Sequence, residues 1–185
     1  MRKVILLTLF LAGMAGCAIG LWSQAGGLFS SNRFNFSVDL PAGWMKSNTS
    51  SGLIITRDGV LLQQITITRL EIKKELPHTK KKFKKDMLPQ EVAEVVIDDM
   101  ITDSTFLNFE IIENTPAKIA EFSGFRLVSS FTNSDGLKYK SVEYGFINGE
   151  YFYDINYVAP QRYYFDKDIN TFEEAFKSFR LIKII

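Results

Sequence analysis

GFRLVSSFTNSDGLKYKSVEYGFINGEYFYDINYV, residues 124–158, decides between a helical and a sheet protein. Three runs rich in aromatic and β-branched residues, Gly124–Thr132, Tyr139–Ile147 and Tyr151–Val158, are separated by Asp135-Gly136 and Asn148-Gly149. Such pairs tolerate the positive φ that tight hairpins demand, so the stretch predicts an antiparallel meander. In the last run Tyr151, Tyr153, Ile155 and Tyr157 share one face. Phe152 and Val158 share the other with Asp154 and Asn156.

Outward from this stretch the same alternation recurs. Strands are predicted at Ala117–Phe122 and Phe106–Ile112, and within residues 53–72, where two runs join near Asp58-Gly59. Phe34, Phe36, Val38 and Leu40 lie on one face of another strand, ended by Pro41 and Gly43. Two helices interrupt the strands. Residues 89–101 place Val92, Ala93, Val96, Ile97 and Met100 on one stripe, with Pro89 suited to the first turn. Residues 171–179 place Phe172, Ala175, Phe176 and Phe179 at helical spacing, with Thr171 and Glu174 as a capping box and a short strand after it. The fold class is α+β, a central, mainly antiparallel sheet with helices packed on it.

The stretch FNFSVDLPAGW, residues 34–44, resembles the opening F-x-F-x-x-x-x-P-x-G-W of PsbP-like proteins. The closing FEEAFKSFRLI, residues 172–182, is similar to the same superfamily, which also includes domains of bacterial lipoproteins. The resemblance covers most of residues 34–183. It implies an α/β/α sandwich around an antiparallel sheet, and binding in place of catalysis. It supplies no metal or partner site residue by residue.

The N-terminus gives an address. Arg2 and Lys3 precede the apolar run VILLTLFLA, residues 4–12, and then small residues, the pattern of a secretory signal. Cys17 follows Met14-Ala15-Gly16, which resembles a bacterial lipobox with Met where Leu is preferred. The resemblance implies a thioether-linked diacylglycerol on the Cys17 sulfur and cleavage before it. Two or three acyl chains would attach the protein stably to membrane lipid. The alternative is an uncleaved membrane helix over Val4–Trp22. Ala18, where an Asp would signal inner-membrane retention, favours the outer membrane facing the periplasm in a Gram-negative host. The expected organisation is a signal peptide over 1–16, an acylated cysteine and flexible tether over 17–33, and one domain over 34–185.

Composition narrows the chemistry. With 22 basic and 21 acidic residues, the chain has no overall attraction to nucleic acid. One cysteine and one histidine, His78, remove common zinc sites and weaken Ser-His or Cys-His nucleophiles. No metal, cofactor or catalytic activity is expected. Two surfaces are candidates for contact. Tyr151, Tyr153 and Tyr157 with Arg162 would form an aromatic ligand or partner face. Lys80, Lys81, Lys82, Lys84 and Lys85 would meet an anionic surface, or stand as a solvated loop partly neutralised by Glu71, Glu75 and Asp86. Asp98, Asp99 and Asp103 lack the spacing of a calcium loop. The expected function is a membrane-anchored, extracytoplasmic, non-catalytic binding or assembly module whose partner is an envelope protein or small ligand. The alternative is a structural envelope lipoprotein without a discrete ligand. A concave aromatic pocket would favour the first.

Overall fold

A computed structural model describes residues 22–182. The meander forms as the alternation requires. Strands β7 (Leu107–Ile119), β8 (Phe122–Thr132), β9 (Lys138–Asn148) and β10 (Tyr151–Pro160) pair antiparallel in succession. On the other side of β10 lie β6 (Gln64–Glu71), β5 (Gly52–Thr56), β4 (Met45–Asn48) and β1 (Ser23–Gln24), which complete an eight-stranded sheet in the order β1-β4-β5-β6-β10-β9-β8-β7. A second sheet of three strands, β11-β3-β2, joins Arg180–Leu181, Phe36–Leu40 and Gly27–Ser31.

The two faces of the large sheet carry separate cores. Tyr153, Ile155 and Tyr157 of β10, with Tyr144 and Phe146 of β9, pack against helix α2 (Tyr164–Ser178) and the small sheet, which contributes Phe36 and Val38. The rings interlock: Tyr157 lies 5.5 Å from Phe172, and Phe36 lies 5.6 Å from Phe179. The opposite face sends Phe125, Leu127 and Phe152 to helix α1 (Pro89–Thr102), whose buried residues are Val92, Ala93, Val95, Val96 and Ile97. The result is the expected sandwich, with α1 on one face and α2 with the small sheet on the other. Burying each large apolar side chain contributes roughly 1.5–3 kcal/mol.

Four local expectations need correction. First, residues 23–31 are not a loose tether, because β1 and β2 fall within them. The free edges of β3 and β4 need backbone partners, and this small, polar stretch supplies them. Gly26 and Gly27, at φ 145° and 68°, turn the chain from one sheet to the other. Second, α2 begins at Tyr164, seven residues before Thr171, so Thr171 and Glu174 lie inside the helix and cap nothing. The first two turns are disguised by Asp168, a charged residue at a buried position. Its carboxylate accepts hydrogen bonds from Arg57 Nη2 at 2.8 Å and Gln63 Nε2 at 2.9 Å.

Third, the two segments predicted at Phe106–Ile112 and Ala117–Phe122 are largely one strand, β7, which runs through Pro116. An edge strand tolerates a missing N–H, and two register shifts between Leu107 and Glu113 absorb the irregular pattern. Fourth, only one of three Gly-marked turns is a two-residue hairpin. Asn148 pairs with Tyr151, leaving Gly149 and Glu150 as the loop, with Gly149 at φ 62°. The loop at Asp58-Gly59 runs from Arg57 to Gln63, and that at Asp135-Gly136 from Asn133 to Leu137.

Gly52 is fixed by close approach. A Cβ there would sit 1.9 Å from the Ile67 carbonyl oxygen of the neighbouring strand. Gly52→Ala must therefore push β5 from β6, and it lowers the unfolding free energy by about 1–3 kcal/mol in urea denaturation. An unchanged midpoint would show that the two strands do not pack this closely.

Candidate functional site

The predicted tyrosine face divides. Tyr153 and Tyr157 are 1% and 0% exposed and belong to the α2-side core, so neither is a ligand surface. Alternation places them beside Ile155 on the inward face, where aromatic area contributes most. The Tyr157 hydroxyl donates to the Tyr164 carbonyl at 2.9 Å, which satisfies its one polar group. Arg162 is exposed beyond the end of β10, at the opposite end of the sheet from Tyr151. Tyr151 alone stays half-buried, and it does line a cavity.

That cavity, of about 470 Å³, lies at the end of the sheet where β4 turns into β5 and β9 into β10. Arg33, Phe34, Ser50, Ser51, Arg69 and Tyr151 form most of its wall, with Lys74 and Glu71 at the margin. The Arg69 guanidinium carbon stands 3.4 Å from the Tyr151 ring centroid. Arg69 Nη1 donates to the Arg33 carbonyl at 2.9 Å, and Arg33 Nη2 donates to the Ser50 carbonyl at 3.1 Å. These contacts fix both forks. Arg69 Nε, shut off from water, has no hydrogen-bond partner among the described residues. Three cations face one carboxylate around this hollow, whose size suits a small ligand. Planar guanidinium groups held by carbonyls and an aromatic ring bind phosphate or carboxylate oxygens in defined geometry. Neither Arg33 nor Arg69 stands out in the sequence, since they are 36 positions apart and meet only where the β2–β3 turn of the small sheet comes against β6 of the large one.

The lysine run is not one patch. Phe83 anchors the loop by stacking on Phe152 at 4.4 Å, and the loop wraps around α1. Lys81 pairs with Asp98, Lys82 with Glu75 at 3.4 Å, and Lys85 with Glu150. The Lys80 ammonium bonds the Pro77 carbonyl, and Lys84 is exposed. Asp86 is not the neutralising partner that proximity in sequence implies; Asp98 and Glu150 take that role. The acids of α1 hold the loop. Asp99 Oδ1 accepts from the backbone N–H groups of His78 and Thr79 at 3.0 and 2.8 Å, and His78 Nε2 lies 3.2 Å from Asp103. Among the described residues no group of three or more His, Cys, Asp or Glu side chains could hold a metal. Cys17 lies outside the described residues.

Sequence inspection misses a further feature. Glu143, 4% exposed, and Asp154 hydrogen-bond each other on the α1-side face of β9 and β10. Burial pushes the Asp154 carboxyl up to about 7, while hydrogen bonds with Glu143 and Thr68 offset part of the effect. Burial, then the charge of Asp154, raises Glu143 well above the usual carboxylate range. Alternation alone could have found the pair: both residues fall on an inward face of a central strand.

With these features in place, comparison with known proteins bears on the fold. The sequence matches no family model and no curated protein. Among solved structures it is similar to cyanobacterial PsbP (CyanoP) from Synechocystis, at 12% identity and a TM-score of 0.57, over 92% of this chain and 98% of that one. It is similar to the Ran-binding protein Mog1p of Saccharomyces cerevisiae, at 10% identity and a TM-score of 0.57, over 87% and 97%. A protein of Bacteroides thetaiotaomicron matches at 16% identity and a TM-score of 0.54; there the alignment spans 85% of this chain but only 49% of the other. These likenesses show the fold, an α+β arrangement of the PsbP/Mog1 kind.

The carboxyl pair makes stability depend on pH with a definite sign. The folded state retains a proton on Asp154 that the unfolded chain releases near its ordinary value of 3.8. That stabilisation is complete below about pH 4 and is lost as pH rises through about 7. Each tenfold difference in proton affinity between the folded and unfolded chain contributes about 1.4 kcal/mol. Asp154→Asn removes one of the two titrating groups at nearly constant shape. Chemical denaturation across this range will show both proteins weakening as pH rises, the variant less steeply because only the buried Glu143 still retains a proton in the folded state. Parallel curves would mean that Asp154 ionises freely in the folded protein.

Proposed function

We propose that this chain is a lipid-anchored, extracytoplasmic binding module of the cell envelope, without catalytic activity, whose ligand is anionic. The anchor is the acylated Cys17, and the binding element is the cavity of Arg33, Arg69 and Tyr151. One observation carries the binding half of this reading. A guanidinium group is clamped between an aromatic ring and a backbone carbonyl beside a hollow. Ordering a long side chain in this way costs conformational entropy, and a bound anion offsets that cost. The concave cavity favours a ligand-binding module over a purely structural lipoprotein.

Two further facts support the reading. The fold recurs in Mog1p, a Ran-binding protein, so this scaffold is compatible with a binding role. Trp22, the last residue of the alternative anchor helix, leads directly into β1.

Intact mass of membrane-extracted protein tests the anchor. A mature chain beginning at Cys17 and carrying acyl mass is expected from wild type, with a Cys17→Ala variant left unprocessed and without it. A wild-type chain of full sequence mass would exclude the lipid anchor and leave residues 4–22 as a membrane helix.

A further inference from the structure

The geometry points to a membrane-facing end of the domain: the Arg33–Arg69–Tyr151 cavity and the neighbouring Lys73 and Lys74 lie against an anionic bilayer, and the cavity takes a lipid headgroup phosphate. This inference rests on the lipid-anchored reading and adds an orientation and a ligand class to it.

The orientation follows from strand register. Ser23 stands opposite Lys46 and Gln24 opposite Met45. The pairing is antiparallel, so at Trp22 the backbone heads toward Asn48 and the turn that contributes Ser50 and Ser51 to the cavity. Only five residue steps lead from Cys17 to Trp22. Fully extended, they span at most about 18 Å. An acyl anchor on Cys17 therefore holds this end of the sheet close to the bilayer. Trp22 itself is 37% exposed, at the point where an aromatic ring with one polar edge would meet the headgroup layer.

Charge agrees with the direction of the chain. Arg33, Arg69 and Lys74 line the cavity, and the side chain of Lys73, 82% exposed, stands beside it on the same loop. Glu71 and Glu150 neutralise only part of this charge, and salt screens the remainder over a Debye length of about 8 Å. The other end of the sheet has a different character. There Leu61 is 77% exposed and Tyr163 66% exposed, and the Tyr139 hydroxyl ties the Leu61 loop to β9. Lys138 and Lys167 at that end pair with Glu110 and Asp58. A domain held by its N-terminus thus presents its basic hollow to the lipid and its apolar loop tips to the solvent beyond.

Amine labelling read by peptide mass tests the inference on the mature protein in vesicles. One set is phosphatidylcholine alone and the other includes phosphatidylglycerol. On anionic vesicles Lys73 and Lys74 should lose labelling severalfold, with Lys138 and Lys167 unchanged and the difference abolished at high salt. Lys74→Gln should weaken the preference for anionic vesicles about fivefold, the equivalent of about 1 kcal/mol per cation. Flotation with the vesicles reports the anchor separately. Protein that floats on both sets with identical labelling would overturn the orientation and leave the anchor standing. Protein that does not float would overturn both. Protection by soluble glycerol phosphate on neutral vesicles that anionic vesicles alone do not give would assign the cavity to a free ligand and overturn the lipid source.

Discussion

Strand β10 is buried along its α2-side face and partly covered on the other, and the rest of the architecture follows from that constraint. Its inward residues toward α2 are Tyr153, Ile155 and Tyr157, and toward α1 it sends Phe152. A strand in this position needs a hydrogen-bonded neighbour on each side and a covering layer above and below. Strands β6 and β9 supply the first, in unbroken register from Tyr151 to Val158. The two helices and the small sheet supply the second. Its polar residues are forced into the same space, which is why Asp154 must share its hydrogen bonding with Glu143 and Thr68.

The sheet, its antiparallel sense and both helices were legible because their signals are local. Alternation in β8, β9 and β10 and the stripe Val92–Met100 are each read within one segment. What failed depended on distant partners. The early start of α2 was hidden because Asp168 is apolar in position and charged in chemistry, and only Arg57 and Gln63 reconcile the two. The strand character of residues 23–31 comes from the edges they cover, and their own composition reads as a linker.

The site divides along the same line. Tyr151 could be singled out from the aromatic run, but the alternation that grouped it with Tyr153 and Tyr157 also buries those two. Arg33 and Arg69 carry no signal in sequence, because each is an isolated cation until the packing of the small sheet on the large one joins them. The lysine run looked continuous, and the structure distributes it between the hairpin at Glu150 and the acids of α1. A charge run in sequence is a patch only when its backbone keeps the side chains on one side.

Pairing between β1 and β4 involves only two residues on each strand. For a domain tethered by its N-terminus, tension enters through that pair, along the strand axis. Loaded in this direction the hydrogen bonds share the force, where a perpendicular pull would open them one at a time. If the pair yields, Ala25, whose N–H is bonded to the Trp44 carbonyl, takes the load before β2 does. In a domain so tethered the short first strand would be a mechanical coupling, passing small forces to the sheet and giving way before the core is strained.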